Sequence, residues 1–256
     1  MQTLPDLLGR VRPAPALGPG EHHPAGRDPD QPSQTEHFPD VHALRLRTVS
    51  ISLDEALEIT RTGDLWIFRG RSPTDRAIRL GTNSPVNHVG MTVALDDLPP
   101  LLWHAELGRS LTDLWSGDRH RGVQLHDARD AVMLWANRYA QQAWLRQLDA
   151  TVTRSMEDAM LRTVARMDGT PFPSTVRLAS RWLAGRVPLK SRRRPAALET
   201  AYCAEVIALT YQAMGLLPAD HRPNSYDPGS FWSGDDLPLT GHARLGLEIA
   251  VTVPAQ

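Results

Sequence analysis

Apolar and polar residues alternate or recur in short runs along most of the chain after about residue 49, and those runs predict its elements. Ser52-Leu53-Asp54-Glu55 has the spacing of a capping box and opens a short helix that Gly63 ends. Leu65–Phe68 is a β-prone run behind the turn-forming Gly63-Asp64. Ser72 to Leu80 predicts a helix, with Pro73 at its first position. Val89–Val93, Leu101–Leu107, Gly122–His126 and Val132–Trp135 predict further strands in a meander, hence an antiparallel sheet. Helices are expected from Ser155, with Met156, Met160, Val164 and Met167 as a packing stripe, and from Ser174. Another is expected from an N-cap at Thr200 to a stop at Gly215. Leu245–Val253 alternates as a half-buried closing strand.

Residues 1–45 show neither period and are dense in Pro, Gly, Asp, Gln and His. Such a segment buries too little apolar surface to offset its chain entropy, so a disordered leader is expected, followed by one α+β domain over 46–256. A formal charge of −1 argues against nucleic acid as a partner. No apolar run reaches the ~18 residues of a membrane span, and the first twenty residues lack the apolar core of a signal peptide. The expected location is cytoplasmic.

Candidate chemistry gathers at three places. Cys203 is the only cysteine, which excludes an internal disulfide. With Thr200 as cap it falls in a helix's first turn, where unpaired N–H groups and the helix dipole favour thiolate. Strand alternation puts Val89, Met91 and Val93 on one face and His88, Gly90 and Thr92 on the other. It likewise separates Trp103 and Ala105 from His104 and Glu106. If the apolar faces pack inward, His88, His104 and Glu106 converge on one polar surface. Thiol catalysis needs a nucleophile, an imidazole base and a polar group that orients it. Cys203, His88 and Glu106 fill those roles in order, with His104 as the alternative third member.

Gly63-Asp64-Leu65-Trp66-Ile67-Phe68-Arg69-Gly70, then Asn87-His88-Val89-Gly90-Met91, then an acidic strand residue, then Tyr202-Cys203-Ala204-Glu205 resembles the circularly permuted branch of the NlpC/p60 papain-like superfamily, the lecithin:retinol-acyltransferase-like relatives. The histidine precedes the nucleophile, as in that branch. The resemblance implies a papain-like α+β fold, with an antiparallel sheet and the nucleophile helix packed against it. It also implies a hydrolase acting on an amide or ester through an acyl-enzyme on Cys203, with a small-molecule, peptide or lipid-like acyl substrate. An acyltransferase using the same triad, or an idle binding module of that fold, is the alternative. Asp64 is expected to structure its turn, and the Met156–Arg194 insertion carries no assigned role.

Other readings change the picture less. His88, His104, His126 and Cys203 are ligand types for zinc, but no Cys-x-x-Cys or His-Glu-x-x-His pair accompanies them. No metal or other cofactor is therefore expected. Lys190 with Arg192–Arg194 is a solvated loop or a seat for an anionic substrate group.

Overall fold

A computed structural model of the chain describes residues 50–70, 84–95, 98–106, 108–171, 195–235 and 237–255. The leader over 1–45, the helices expected at Ser72–Leu80 and from Ser174, and the Lys190–Arg194 cluster lie outside the described residues.

The fold is α+β. Seven strands form one sheet: β1 (Ser50–Ser52), β2 (Leu65–Gly70), β3 (His88–Val93), β4 (Leu101–Glu106), β5 (Gly122–Asp127), β6 (Gln141–Asp149) and β7 (Arg244–Thr252). Their order across it is β1-β7-β6-β2-β3-β4-β5. Every neighbouring pair is antiparallel except β1 and β7, which run parallel, so the sheet is mixed rather than the antiparallel one expected. Four helices accompany it among the described residues: α1 (Leu53–Ile59), α2 (Ala128–Asn137), α3 (Arg154–Met167) and α4 (Pro195–Ala213). None is long and apolar enough to cross a membrane.

Local chemistry explains most boundaries. Ser52 caps α1, and Glu55 returns the bond to its backbone N–H at 2.8 Å. Gly63 takes φ 92°, and a Cβ there would meet Leu148 Cδ2 at 2.8 Å, so the turn into β2 requires glycine. Asp64 holds that turn from within: its carboxylate accepts from the N–H of Arg61 at 2.8 Å and of Leu148 at 2.7 Å.

Three further expectations change. Val132–Trp135 belongs to α2 rather than a strand. Asp127 caps that helix, and Ala128, Ala131, Val132 and Trp135 recur at helical spacing on its buried side. Strand β6 was not expected; a register irregularity between Arg146 and Leu148 breaks its alternation. Helix α4 begins at Pro195, not at Thr200. Cys203 therefore lies in its interior, eight residues past the first, where the backbone N–H is inside the helical ladder. The helix-start argument for a thiolate does not hold in this geometry.

The sheet separates two cores. On one face Leu65, Ile67, Val89, Met91, Trp103, Ala105, Val123 and Leu125 pack against α3 and α4, with Cys203 among the buried residues. Trp103 Nε1 donates to Thr210 Oγ1 at 3.1 Å and ties α4 to β4. On the other face Trp66, Phe68, Leu102 and Leu145 pack against α1 and α2.

Candidate functional site: a buried histidine chain

The second face carries the polar groups. In the register of β2 and β3, Phe68 lies opposite His88 and Trp66 opposite Gly90, so His88 shares a face with the α1/α2 core. From β4 come His104 and Glu106; from β5 come Gln124 and His126. All five are buried, none more than 3% exposed.

They are joined end to end. His88 Nε2 lies 3.0 Å from His104 Nδ1, His104 Nε2 lies 2.9 Å from His126 Nδ1, and His126 Nε2 lies 3.2 Å from Gln124 Oε1. Glu106 Oε2 sits 4.0 Å from His126 Nδ1, while Glu106 Oε1 accepts from the Tyr139 hydroxyl at 3.4 Å. The Trp135 ring covers the chain, stacked on His88 with centroids 3.9 Å apart and planes 25° from parallel. Gly108 presses on the same carboxylate, since a Cβ there would stand 2.0 Å from Glu106 Oε1.

Burial sets the protonation states. It pushes the His88 pKa down to about 3 and that of His126 down to about 4. His104 is held well below its ordinary value by burial, then by the two imidazoles flanking it. All three rings are neutral at neutral pH. Burial raises the Glu106 pKa against the pull of Trp135, Tyr139 and Arg138. The Trp135 indole N–H contributes to that pull without reaching hydrogen-bonding geometry.

The sequence thus anticipates three members of this group, His88, His104 and Glu106. The structure brings them together, and His104 rather than Glu106 is the group that touches His88. It does not bring Cys203 to them. Thr210 meets Trp103 on the apolar face, and Cys203, seven residues earlier, lies on the same side of α4. The sheet stands between thiol and imidazole. Sequence reasoning missed Gln124, and it named His126 as a zinc ligand type but set that aside for want of a short ligand pair. The available signal was a His-x-Glu pair on one strand and a Gln-x-His pair on the next, each at the two-residue spacing that shares a face.

Ligand-type atoms of His104, Glu106 and His126 all lie within 4.8 Å of one another. Asp113, His120 and Asp168 meet the same distance criterion. Asp113, however, is engaged as a turn cap, accepting from the N–H of Ser116 and Leu125 at 2.8 Å each.

No family model matches this chain, and no curated protein matches it. Among solved structures, it is similar to one titled "Crystal structure of metalloprotein yiiX from Escherichia coli O157:H7, DUF1105". That likeness has 20% identity and a TM-score of 0.39, and covers 64% of this chain and 68% of that chain. At that level it carries no argument about function. The expected kinship with the permuted NlpC/p60 superfamily is corrected: no family model and no curated protein matches the chain, and the solved structure named above bears a different designation.

Proposed function

We propose that this chain is a metalloprotein, holding one divalent transition metal of the zinc class on His104 Nε2, His126 Nδ1 and Glu106. A single observation carries the reading: three ligand atoms of suitable type converge within 4.8 Å, on rings already neutral. Two nitrogens bound at ~2.0–2.1 Å to one zinc stand about 3.0–3.4 Å apart, close to the 2.9 Å between the two histidines here. Each ligand is also held from behind, His104 by His88, His126 by Gln124 and Glu106 by Tyr139. Outer partners of this kind orient metal ligands and fix their tautomers. Two imidazoles and one carboxylate leave coordination positions for water or substrate. Hydrolysis of an amide or ester by metal-activated water is the activity that fits such a set.

The test uses the full chain, equilibrated with zinc and then dialysed. Elemental analysis should give about one zinc per chain, and His126→Ala and Glu106→Gln should each weaken binding at least about 100-fold. Stoichiometric zinc retained by a His104→Ala/Glu106→Gln/His126→Ala variant, or no zinc in the unaltered chain, overturns the reading.

A second reading keeps the thiol hydrolase, and with it the papain-like view of the fold. It is favoured by His88, whose Nε2 is held by His104 and whose other nitrogen is left to serve a nucleophile. An acyl group would pass from an amide or ester to Cys203, then to water, or to an alcohol or amine in an acyltransferase. This requires Cys203 to reach His88 from the opposite face of the sheet. The metal reading requires no such movement.

A further inference from the structure

The polarity of the histidine chain is fixed from its far end. Gln124 Nε2 lies 3.4 Å from both the Glu106 and the Gly122 carbonyl oxygens, so it donates there and turns Oε1 toward His126. His126 must then carry its one proton on Nε2 and present a bare Nδ1. His104 Nε2, 2.9 Å from that lone pair, must be the donor, which leaves His104 Nδ1 bare. It accepts in turn from His88 Nε2 at 3.0 Å. Every bond points from His88 toward Gln124.

A metal on His104 Nε2 and His126 Nδ1 needs lone pairs on both. His126 already offers one, and His104 does not. We propose that metal binding reverses the His88–His104 hydrogen bond, which makes His88 a tautomer switch and a positioning residue for the metal. The inference rests on the metal reading above. The protons balance. His104 gives its Nε2 proton to solvent and takes the His88 Nε2 proton across the hydrogen bond onto Nδ1. His88 takes one from solvent onto its own Nδ1. Both rings stay neutral, and together they take up and release no net proton. His104 Nδ1–H then donates to a bare His88 Nε2, the arrangement in which a ligating imidazole is oriented by an acceptor behind it.

Long-range ¹H–¹⁵N spectra of the full, uniformly ¹⁵N-labelled chain test this, before and after one equivalent of Zn²⁺. The protonated nitrogen of His88 and of His104 should move from Nε2 to Nδ1, while His126 stays protonated at Nε2. Zinc that binds while His88 keeps its Nε2 proton overturns the switch but spares the metal reading. A chain that takes up no zinc by elemental analysis overturns both. Variants give an independent arm. His88→Gln supplies a carbonyl that accepts from His104 Nδ1–H and should hold zinc within a few-fold of the unaltered chain. His88→Ala strands that N–H and should lose ~10–100-fold. Equal losses in the two would show that His88 serves packing alone, against the proposal. If His88→Ala fails to fold, the spectra of the unaltered chain decide.

Discussion

The two faces of the sheet bury their residues equally well, yet by opposite means. Beneath α4 the contact is largely dispersion and apolar burial, with hydrogen bonds from Trp103 to Thr210 and from the Tyr211 hydroxyl to the Gly63 carbonyl inside it. Beneath α2 three imidazoles, a carboxyl and an amide are buried just as deeply, and the rings and the amide are joined end to end. An apolar core gains stability from any well-packed filling. A buried polar chain holds only if every member is satisfied, and its geometry is therefore more narrowly specified. In the metal reading, that difference assigns the chemistry to the second face.

Trp103 and Trp135 give the strongest contrast, one on each face. Trp103→Ala should cost ~3–5 kcal/mol, from the cavity left in a fully buried site and from Thr210 losing its donor. Folded Trp103→Ala should still bind zinc as the unaltered chain does. Trp135→Ala should destabilise by a similar amount, since that ring is 5% exposed and stacks on His88. It should also weaken zinc binding by about 10-fold, because the chain behind His104 loses its cover. Denaturant titrations paired with zinc competition would read both. Equal effects on zinc would mean that the faces are not functionally distinct.

Much of the second face was legible. Alternation in His88–Val93 and Leu101–Glu106 suffices to put His88, His104 and Glu106 on one side, because a strand's side chains have a strict period of two. What covers that side was not legible from a narrow window. Val132–Trp135 by itself is a short apolar run, and only the wider set Ala128, Ala131, Val132 and Trp135 shows the helix that brings Trp135 onto His88. Helix α4 resisted for another reason. Tyr202 to Ala208 are all buried, Glu205 included, so the helix shows no polar stripe to say which side meets the sheet. Its true start was signalled by Pro195, a residue suited to a first helical position, and Thr200 drew the boundary too late. The placement of Cys203 depended on both points.

The second face should also respond to pH through its imidazoles. The three imidazoles have folded pKa values far below the ~6.5 of an unfolded histidine, about 3 for His88 and about 4 for His126. The unfolded chain thus binds protons that the folded chain refuses. Their contribution to stability is complete above the unfolded value and is lost as pH falls toward the folded ones. Between pH 7 and 6, with chelator present, stability should drop by on the order of 1–2 kcal/mol. Asp64, Glu106 and Asp168, all with raised pKa values (Asp168 to about 6), act with the opposite sign. They should flatten the decline below about pH 6. Melting curves against pH check this, and a His126→Gln variant should show a shallower fall. An unchanged slope would place the imidazoles in contact with solvent.

The smallest effect is expected from the residue that the sequence puts foremost. Cys203 is fully buried on the apolar face, inside α4, and across the sheet from the histidine chain. Cys203→Ala removes one sulfur from a packed site and should cost about 1 kcal/mol, in the ordinary range for a modest core truncation. Zinc affinity and the His88 tautomer should not move. In the native chain iodoacetamide should label Cys203 only as fast as the protein opens, with a rate that climbs with denaturant. The thiol-hydrolase reading demands the reverse: rapid labelling without denaturant, persisting below neutral pH because an activated thiolate survives there. Fast native labelling that His88→Gln abolishes would bring thiol and imidazole together after all, and would set aside the separation of the two faces in favour of the thiol-hydrolase reading.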